Sequence, residues 1–304
     1  MQLASPPARL KPNLTAAVVI CTRNRPIALR KCLEAVARLT RTPDEVVVVD
    51  NSSGDKETES AAREYSARYT LEPIEGLSRA RNRGLIEGNS DIVAYLDDDA
   101  MPDERWLELI LEPFADPCVA TVTGDILLPG SCVSGNSPEP SWRLSNKDPR
   151  WFEIAAFGGL GIGTNMALRR SACAGWNVFD ERLGRGGLFE GMEEHHAFVR
   201  LLSMGHSAAH VPAAIVFHRS QIHGDIKQEA RNQIGYSMLL FSEYPSHRLD
   251  LLRFLFRRAR RRPLTWPRDA PDPGEIITSG WRVLLTASLS AVPLFFRNRR
   301  PKNG

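Results

Sequence analysis

The sequence predicts an α/β fold with a mostly parallel central sheet, helices on both of its faces, and a basic helical segment at the C-terminus. Three observations predict it. From residue 16 onward, short β-rich runs alternate with helix-patterned ones. The runs "AAVVICT", "DEVVVVD" and "DIVAYLD" are apolar almost throughout instead of alternating polar with apolar, and arginines crowd toward the C-terminus. Strands with no polar face are buried on both sides, which is the condition of a parallel sheet between two helical layers.

Taken in order, the strand "AAVVICT" is followed by a helix over 26–39, the strand "DEVVVVD", a helix over 56–67 and the weaker strand "RYTLEP". A helix over 77–87, the strand "DIVAYLDDD", a helix over 103–111 and the strand "VATVTGDI" come next. Residues 130–161 are rich in Gly, Pro, Ser and Trp and read as a long irregular connection, of a kind that is uncommon unless it covers a site. Order resumes at "GTNMALRRS", with a helix over 192–204.

With 304 residues, 42% of them hydrophobic, the chain can bury a sizeable core, so a disordered tail or a mini-protein is excluded. The net charge of +3 averages over a polarised molecule. Five cysteines, odd in number, scattered and never spaced CxxC, argue against a disulfide framework or a zinc site and suggest a reducing, cytoplasmic location. The first residues, "MQLASPPARLKPN", lack the apolar stretch of a secretory signal and read as a disordered leader.

In such sheets ligands bind beyond the carboxyl ends of the strands. Thr22 and Arg23 follow the first strand, Asp50 the second, and Asp97, Asp98 and Asp99 the fourth. The first strand-to-helix turn, "CTRNRP", has no glycine, and neither GxGxxG nor GxxxxGK[ST] occurs there. Three adjacent carboxylates repel one another unless a cation or donors share the site, and hard oxygen ligands suit Mg²⁺ or Mn²⁺. The plain alternative is a solvated acidic turn in which Asp99 or Asp103 caps the next helix. Asp50 could accept from a base N–H or a ribose hydroxyl, or form a turn with Asn51.

"EGLSRARNRGL" opens a helix with Arg79, Arg81, Asn82 and Arg83, which could hold phosphate or a pyrimidine edge, or lie solvated on the surface. In "EGMEEHHAFVRLL" the helical repeat puts Glu194 with Phe198 and Leu201, and Glu193 with Ala197 and Arg200. Glu194 is therefore the inward carboxylate, and desolvation would raise its pKa toward that of a useful base, opposed by the helix dipole. His195, His196, His210 and His218 match no zinc spacing; His218, ending a strand-like run, could reach a metal held by Asp99 or be structural.

Together "VVICTRNRP", "VVVVDNSSGD", "GLSRARNRGL", "YLDDDA", "GTNMALRRS" and "GMEEHHAFVRLLSMGH" resemble the inverting glycosyltransferases of family 2, with the nucleotide-diphospho-sugar transferase (GT-A) fold, over about residues 16–220. The resemblance implies a hexosyltransferase-type enzyme that moves a sugar from a UDP- or GDP-sugar to a hydroxyl on a sugar, lipid-linked or other acceptor, in polysaccharide, glycolipid or cell-envelope glycan synthesis. It also implies Mg²⁺ or Mn²⁺ at Asp97 and Asp99 and donor contacts from Thr22, Arg23, Asp50, Arg81 and Asp97; His218 as a further metal ligand and Asp98 beside the donor are expected from their positions in the sequence. The family's base is usually second in a Glu-Asp pair. Here the pair is Glu193-Glu194, so Glu194 takes that place, with Glu193 as its neighbour in the catalytic set. The domain reading is a leader over 1–15, a nucleotide-sugar half over 16–126, an acceptor half with the base over 127–231, and a basic helical tail over 232–304. A sugar nucleotidyltransferase would carry a GxGTR-type loop, absent here; a non-catalytic scaffold of the same fold is the other alternative.

The tail joins "LLRFLFRRARRRP" to the apolar "VLLTASLSAVPLFF", too short for the roughly 20 residues of a spanning helix. Residues 250–304 are thus expected to lie on an anionic membrane at its cytoplasmic face, or else to form a cap for a homodimer. No nucleic-acid partner is expected.

Overall fold

The computed structural model describes residues 14–52, 54, 56–131, 140–219 and 226–260. Most of the leader expected over 1–15, together with Arg261, Arg262 and the apolar run of the tail, lies outside the described residues.

The elements, in chain order, begin with β1 (Ala16–Thr22), α1 (Pro26–Ala37), β2 (Glu45–Asp50), α2 (Lys56–Glu64), β3 (Arg68–Leu71), α3 (Leu77–Ile86) and β4 (Ile92–Asp97). They continue with β5 (Met101–Pro102), α4 (Trp106–Leu111), β6 (Val119–Leu127), β7 (Trp142–Ser145), α5 (Trp151–Ala156) and β8 (Met166–Arg169). The last four are α6 (Glu193–Ser203), β9 (Ser207–Phe217), α7 (Ile226–Glu243) and α8 (Arg248–Arg260).

Among the described residues, all nine strands form one sheet in the order β3-β2-β1-β4-β8-β6-β9-β5, with β7 also paired to β9. The first four strands are parallel, as their apolar runs predict. Beyond them the sheet is mixed: β8 is antiparallel to both β4 and β6, β6 and β9 are parallel, and β5 and β7 run antiparallel to β9. A strand buried on both faces reads apolar whichever way it runs, so "MALR" announces burial and not direction.

Successive side chains leave a strand on opposite faces. Val18 and Ile20 therefore pack with Leu29, Leu33, Trp106 and Ile110 under α1, α2 and α4. Val19 and Cys21 pack with Ala80, Tyr95, Phe179, Phe198 and Tyr236 under α3, α6 and α7. The stretch expected to be irregular over 130–161 contains β7 and α5. Its Trp151 and Phe152 are buried in the second core, so aromatic residues that looked like loop composition are packing anchors. Helix α4 starts at Trp106, not Asp103, because Met101 and Pro102 pair with β9 and the Asp103 N–H donates to the Ile215 carbonyl at 3.0 Å.

Register brings the functional edge together. Thr22 lies opposite Asp50, and Cys21 opposite Asp97, so the three central strands end level with one another. Helix α3 can lie on them because Gly84 leaves room: a Cβ there would fall 2.4 Å from Val19 Cγ1 and 3.3 Å from Val49 Cγ2. Gly84→Ala gains up to about 1 kcal/mol of helix propensity, but overpacking a rigid β-branched core costs about 1–3 kcal/mol. The expected result is a net loss of stability, read as a lower urea midpoint with an unchanged slope.

Candidate active site

The edge is built from the ends of β1, β2 and β4. Thr22, the last residue of β1, donates its hydroxyl to Asp98 Oδ2 at 2.7 Å. Arg25, just before the proline that opens α1, bonds Asp98 Oδ1 at 2.6 Å and Asp99 Oδ2 at 2.7 Å. The aspartate triplet is thus tied down by a hydroxyl and a guanidinium. Sequence reasoning stopped at Thr22 and Arg23 and passed over Arg25. Arg23 is exposed and pairs with Glu75, while the signal for Arg25 was its place beside Pro26, where the chain turns back across the sheet edge.

Asp97, Asp98 and Asp99 leave the strand in different surroundings. Burial pushes the Asp98 carboxyl up to about 6, although the Thr22 hydroxyl and Arg25 pull the other way. Asp99 is held well below the usual carboxylate range by the His218 hydrogen bond and by Arg25, which outweigh its burial. His218, one residue past β9, meets Asp99 Oδ1 at 3.0 Å through Nε2, and that bond raises its pKa against the effect of burial. Ligand atoms of Asp97, Asp99 and His218 all lie within 4.8 Å of one another. Two carboxylates and one imidazole, open to solvent on one side, fit a small divalent cation such as Mg²⁺ or Mn²⁺. A second cluster of Asp180, His196 and Glu243 is as tight, with Arg182 bonded to both of its carboxylates, but its residues come from α6, the end of α7 and the segment before α6, not from the strand ends.

Asp50 is fully buried; its Oδ1 accepts the Ser52 N–H at 3.1 Å and its Oδ2 the Tyr69 hydroxyl at 2.8 Å. Next to it Asn51 donates to the Glu72 and Ile74 carbonyls and accepts the Gly76 N–H, which pins the turn leading into α3.

From α3, Arg81 reaches inward and is only 3% exposed. Its Nη1 meets Glu193 Oε1 at 2.7 Å and its Nη2 meets Asp97 Oδ1 at 3.5 Å. Burial works against this charge, but Glu193, Asp97 and Glu194 outweigh it and hold the pKa above the usual arginine value. Gly163 makes the fit possible, since a Cβ there would come 2.5 Å from the guanidinium nitrogens. The Gly163 N–H in turn donates to Glu194 Oε1 at 3.2 Å.

Glu193 and Glu194 open α6 immediately after Met192, which takes a left-handed φ of 68°. The sequence separates the two carboxylates into an outward and an inward one, and the structure corrects this: both are buried, at 3% and 8% exposure. The face shared with Ala197 is itself covered, so helical spacing could not distinguish them. Burial and the neighbouring Glu194 push Glu193 up to about 7 even with Arg81 beside it. Each glutamate keeps a second oxygen, Oε2, buried and without a hydrogen bond. His195 follows, its imidazole pushed down to about 4, chiefly by burial.

Arg81→Met leaves Glu193 as a buried charge without its partner, an arrangement that costs about 3–5 kcal/mol, more at alkaline than at acid pH. With a pKa near 7 against an ordinary 4.5, Glu193 contributes stability that is complete below 4.5 and lost as pH rises through 7. Glu193→Gln should flatten that decline in urea-derived stability against pH. Parallel curves for the two proteins would show that Glu193 does not titrate there.

Residues 17–175, just over half of the chain, match the profile of Glycosyl transferase family 2. Glycosyltransferase AglE of Haloferax volcanii is 35% identical over 117 residues, which cover 36% of this chain and 38% of that protein. Pre-mycofactocin glycosyltransferase of Mycobacterium tuberculosis is 29% identical over 227 residues, 70% of this chain and 45% of that one, so the chain spans less than half the length of either relative. Among solved structures, the mannosyltransferase PcManGT of Pyrobaculum calidifontis, in complex with GDP-Man and Mn²⁺, superposes with a TM-score of 0.58 at 17% identity, covering 94% of this chain and 79% of that one. Glucosyl-3-phosphoglycerate synthase of Mycobacterium tuberculosis, in complex with Mn²⁺, UDP and glucosyl-3-phosphoglycerate, gives 0.51 at 18% identity, covering 76% and 80%. The profile match and the shared sheet identify the chain as a member of glycosyl transferase family 2 with a GT-A-type fold.

Proposed function

We propose that this chain transfers a hexosyl group, with inversion, from a UDP- or GDP-sugar to a hydroxyl acceptor in a reaction that depends on a divalent cation. The observation that carries this reading is the single buried guanidinium of Arg81, which contacts Asp97 on one side and Glu193 on the other. A donor-side carboxylate cluster and an acceptor-side carboxylate pair are thereby held one residue apart. In this reading the leaving group lies at the Asp97 end and the base at the other.

Asp97, Asp99 and His218 would hold Mg²⁺ or Mn²⁺, which supplies Lewis-acid stabilisation of the charge on a departing diphosphate. The relatives whose structures contain Mn²⁺ with GDP-Man or UDP support the same choice of donor and ion. Thr22 and Asp50 end β1 and β2, and Arg23 follows Thr22, at the edge where the nucleoside would lie. Arg25 adds a fixed positive charge there, and Asp98, held by Thr22 and Arg25, orients that turn. Arg81, with both terminal nitrogens engaged by carboxylates, positions groups of the protein and leaves direct donor contact to others.

Glu194 is the base in this reading. Both glutamates keep an unbonded Oε2, but Glu193 is committed to Arg81 through Oε1, whereas Glu194 is held there by the Gly163 N–H and is the one left to take the proton of the acceptor hydroxyl. That oxygen is shut off from solvent, so an acceptor reaches it only as neighbouring side chains shift. Exclusion of water at this point favours transfer over hydrolysis of the donor.

General-base catalysis contributes about 10²- to 10⁴-fold. Glu194→Gln is therefore expected to lose that factor in turnover while the affinity for nucleotide and Mn²⁺, followed by calorimetry, stays within about twofold. Turnover retained in Glu194→Gln and lost in Glu193→Gln would transfer the assignment to Glu193. Release of nucleoside diphosphate from a panel of UDP- and GDP-sugars, with and without chelator, identifies the donor and tests the cation requirement together.

A further inference from the structure

The C-terminal helices carry a feature that transfer chemistry does not use. Of the eleven large apolar side chains left exposed among the described residues, four fall within fifteen residues: Phe241, Leu249, Leu252 and Leu255, at 40%, 64%, 51% and 39% exposure. The three leucines recur every third residue along α8 and so form one stripe. The opposite side of the helix is fastened to the core. Leu251 is 2% exposed, and the Phe254 ring stacks on Phe157 with centroids 3.9 Å apart.

Charge flanks the stripe. Arg248 is exposed, its Nε held by the Phe241 carbonyl at 2.8 Å and its guanidinium 4.7 Å from the Phe241 ring, so a cation is fixed at the border of the apolar patch. Arg253, also exposed, is only loosely offset by Asp250 at 3.6 Å. Residues 248–262 contain seven arginines against one aspartate, and the apolar run "VLLTASLSAVPLFF" follows further along the chain. Among the described residues no helix is long and apolar enough to cross a membrane.

An apolar stripe flanked by arginines on a helix anchored from behind is the chemistry of a bilayer interface, with leucines entering the acyl boundary and guanidinium groups meeting anionic headgroups. A partner protein would be expected to pair the arginines with carboxylates, and this stripe offers hardly any acceptor or acidic group in return. We propose that the α8 face, through Leu249, Leu252, Leu255, Arg248 and Arg253, seats the protein on an anionic lipid bilayer. The seat lies close to the base. Phe254 and Leu255 wall a small cavity of about 60 Å³ that also reaches Met192 and His195, the residues on either side of Glu193 and Glu194. A bilayer at α8 is thus one cavity away from the carboxylate pair.

The test uses the full chain, without donor, sedimented with vesicles of pure phosphatidylcholine or of phosphatidylcholine with about a third phosphatidylglycerol. Binding is expected only to the anionic vesicles and to weaken steeply with salt. Arg248→Ala with Arg253→Ala should reduce partitioning roughly 30-fold, and Leu249→Asn with Leu252→Asn by about tenfold or more. All four positions are exposed, so these variants keep the fold, which circular dichroism checks. Equal pelleting with neutral vesicles overturns the proposal, as does indifference to both double variants, which would mean that the chain's own C-terminal residues cover the stripe. A fall in sedimentation-equilibrium mass in the leucine variant, with vesicle binding intact, overturns it in favour of a second copy of the chain. Because no donor is present, failure here leaves the transferase reading untouched.

Discussion

The site depends on one buried ionic contact, the guanidinium of Arg81 between Asp97 and Glu193. A lone charge at 3% exposure would cost several kcal/mol, and Glu193 at 2.7 Å is its main offset, with Asp97 at 3.5 Å adding to it. With all three present, the charges hold one another and fix the distance between the strand edge and the start of α6. The supporting details follow from that need. Gly163 has no side chain because the guanidinium occupies the space, the Tyr95 hydroxyl donates to the Arg81 carbonyl at 2.9 Å, and the ring of Phe179 lies 5.7 Å from the charge.

A similar economy operates at the aspartate triplet, where Arg25 and His218 balance carboxylates that would otherwise repel one another. The two cationic partners differ in kind. Arginine keeps its charge at any physiological pH, whereas a histidine can take or release a proton and can offer a nitrogen to a metal. Asp98 and Asp99 are therefore held by one permanent positive charge and one adjustable group.

Much of this was legible in the sequence because the signals were local. The apolar runs around Val47 and Val93 could only be buried strands, and their ends fixed which residues reached the ligand edge. Asp97, Asp99 and His218 were likewise within reach, since each ends or follows a strand-like run. What could not be read was long-range. Arg81 and Glu193 are 112 residues apart, and no periodicity shows that this arginine is aimed at the first turn of a distant helix. The same blindness made Glu193 look outward, because a helical wheel shows which residues share a face and not whether that face is covered. Trp142 and Trp151 read as loop composition for a related reason, as their packing depends on partners supplied by β9 and by His247 ahead of α8.

The antiparallel insertion of β8 between β4 and β6 has a mechanical consequence. The strand that ends at Asp97 and the strand that leads to His218 belong to one continuous ladder of backbone hydrogen bonds, crossed by β8 and β6. Among the described residues, one sheet therefore spans both the strand that ends at the aspartate triplet and the strand that leads to His218. The described sheet beneath the strand edge is thus a single stiff plate, and a shift at one end of it is carried to the other through backbone hydrogen bonds.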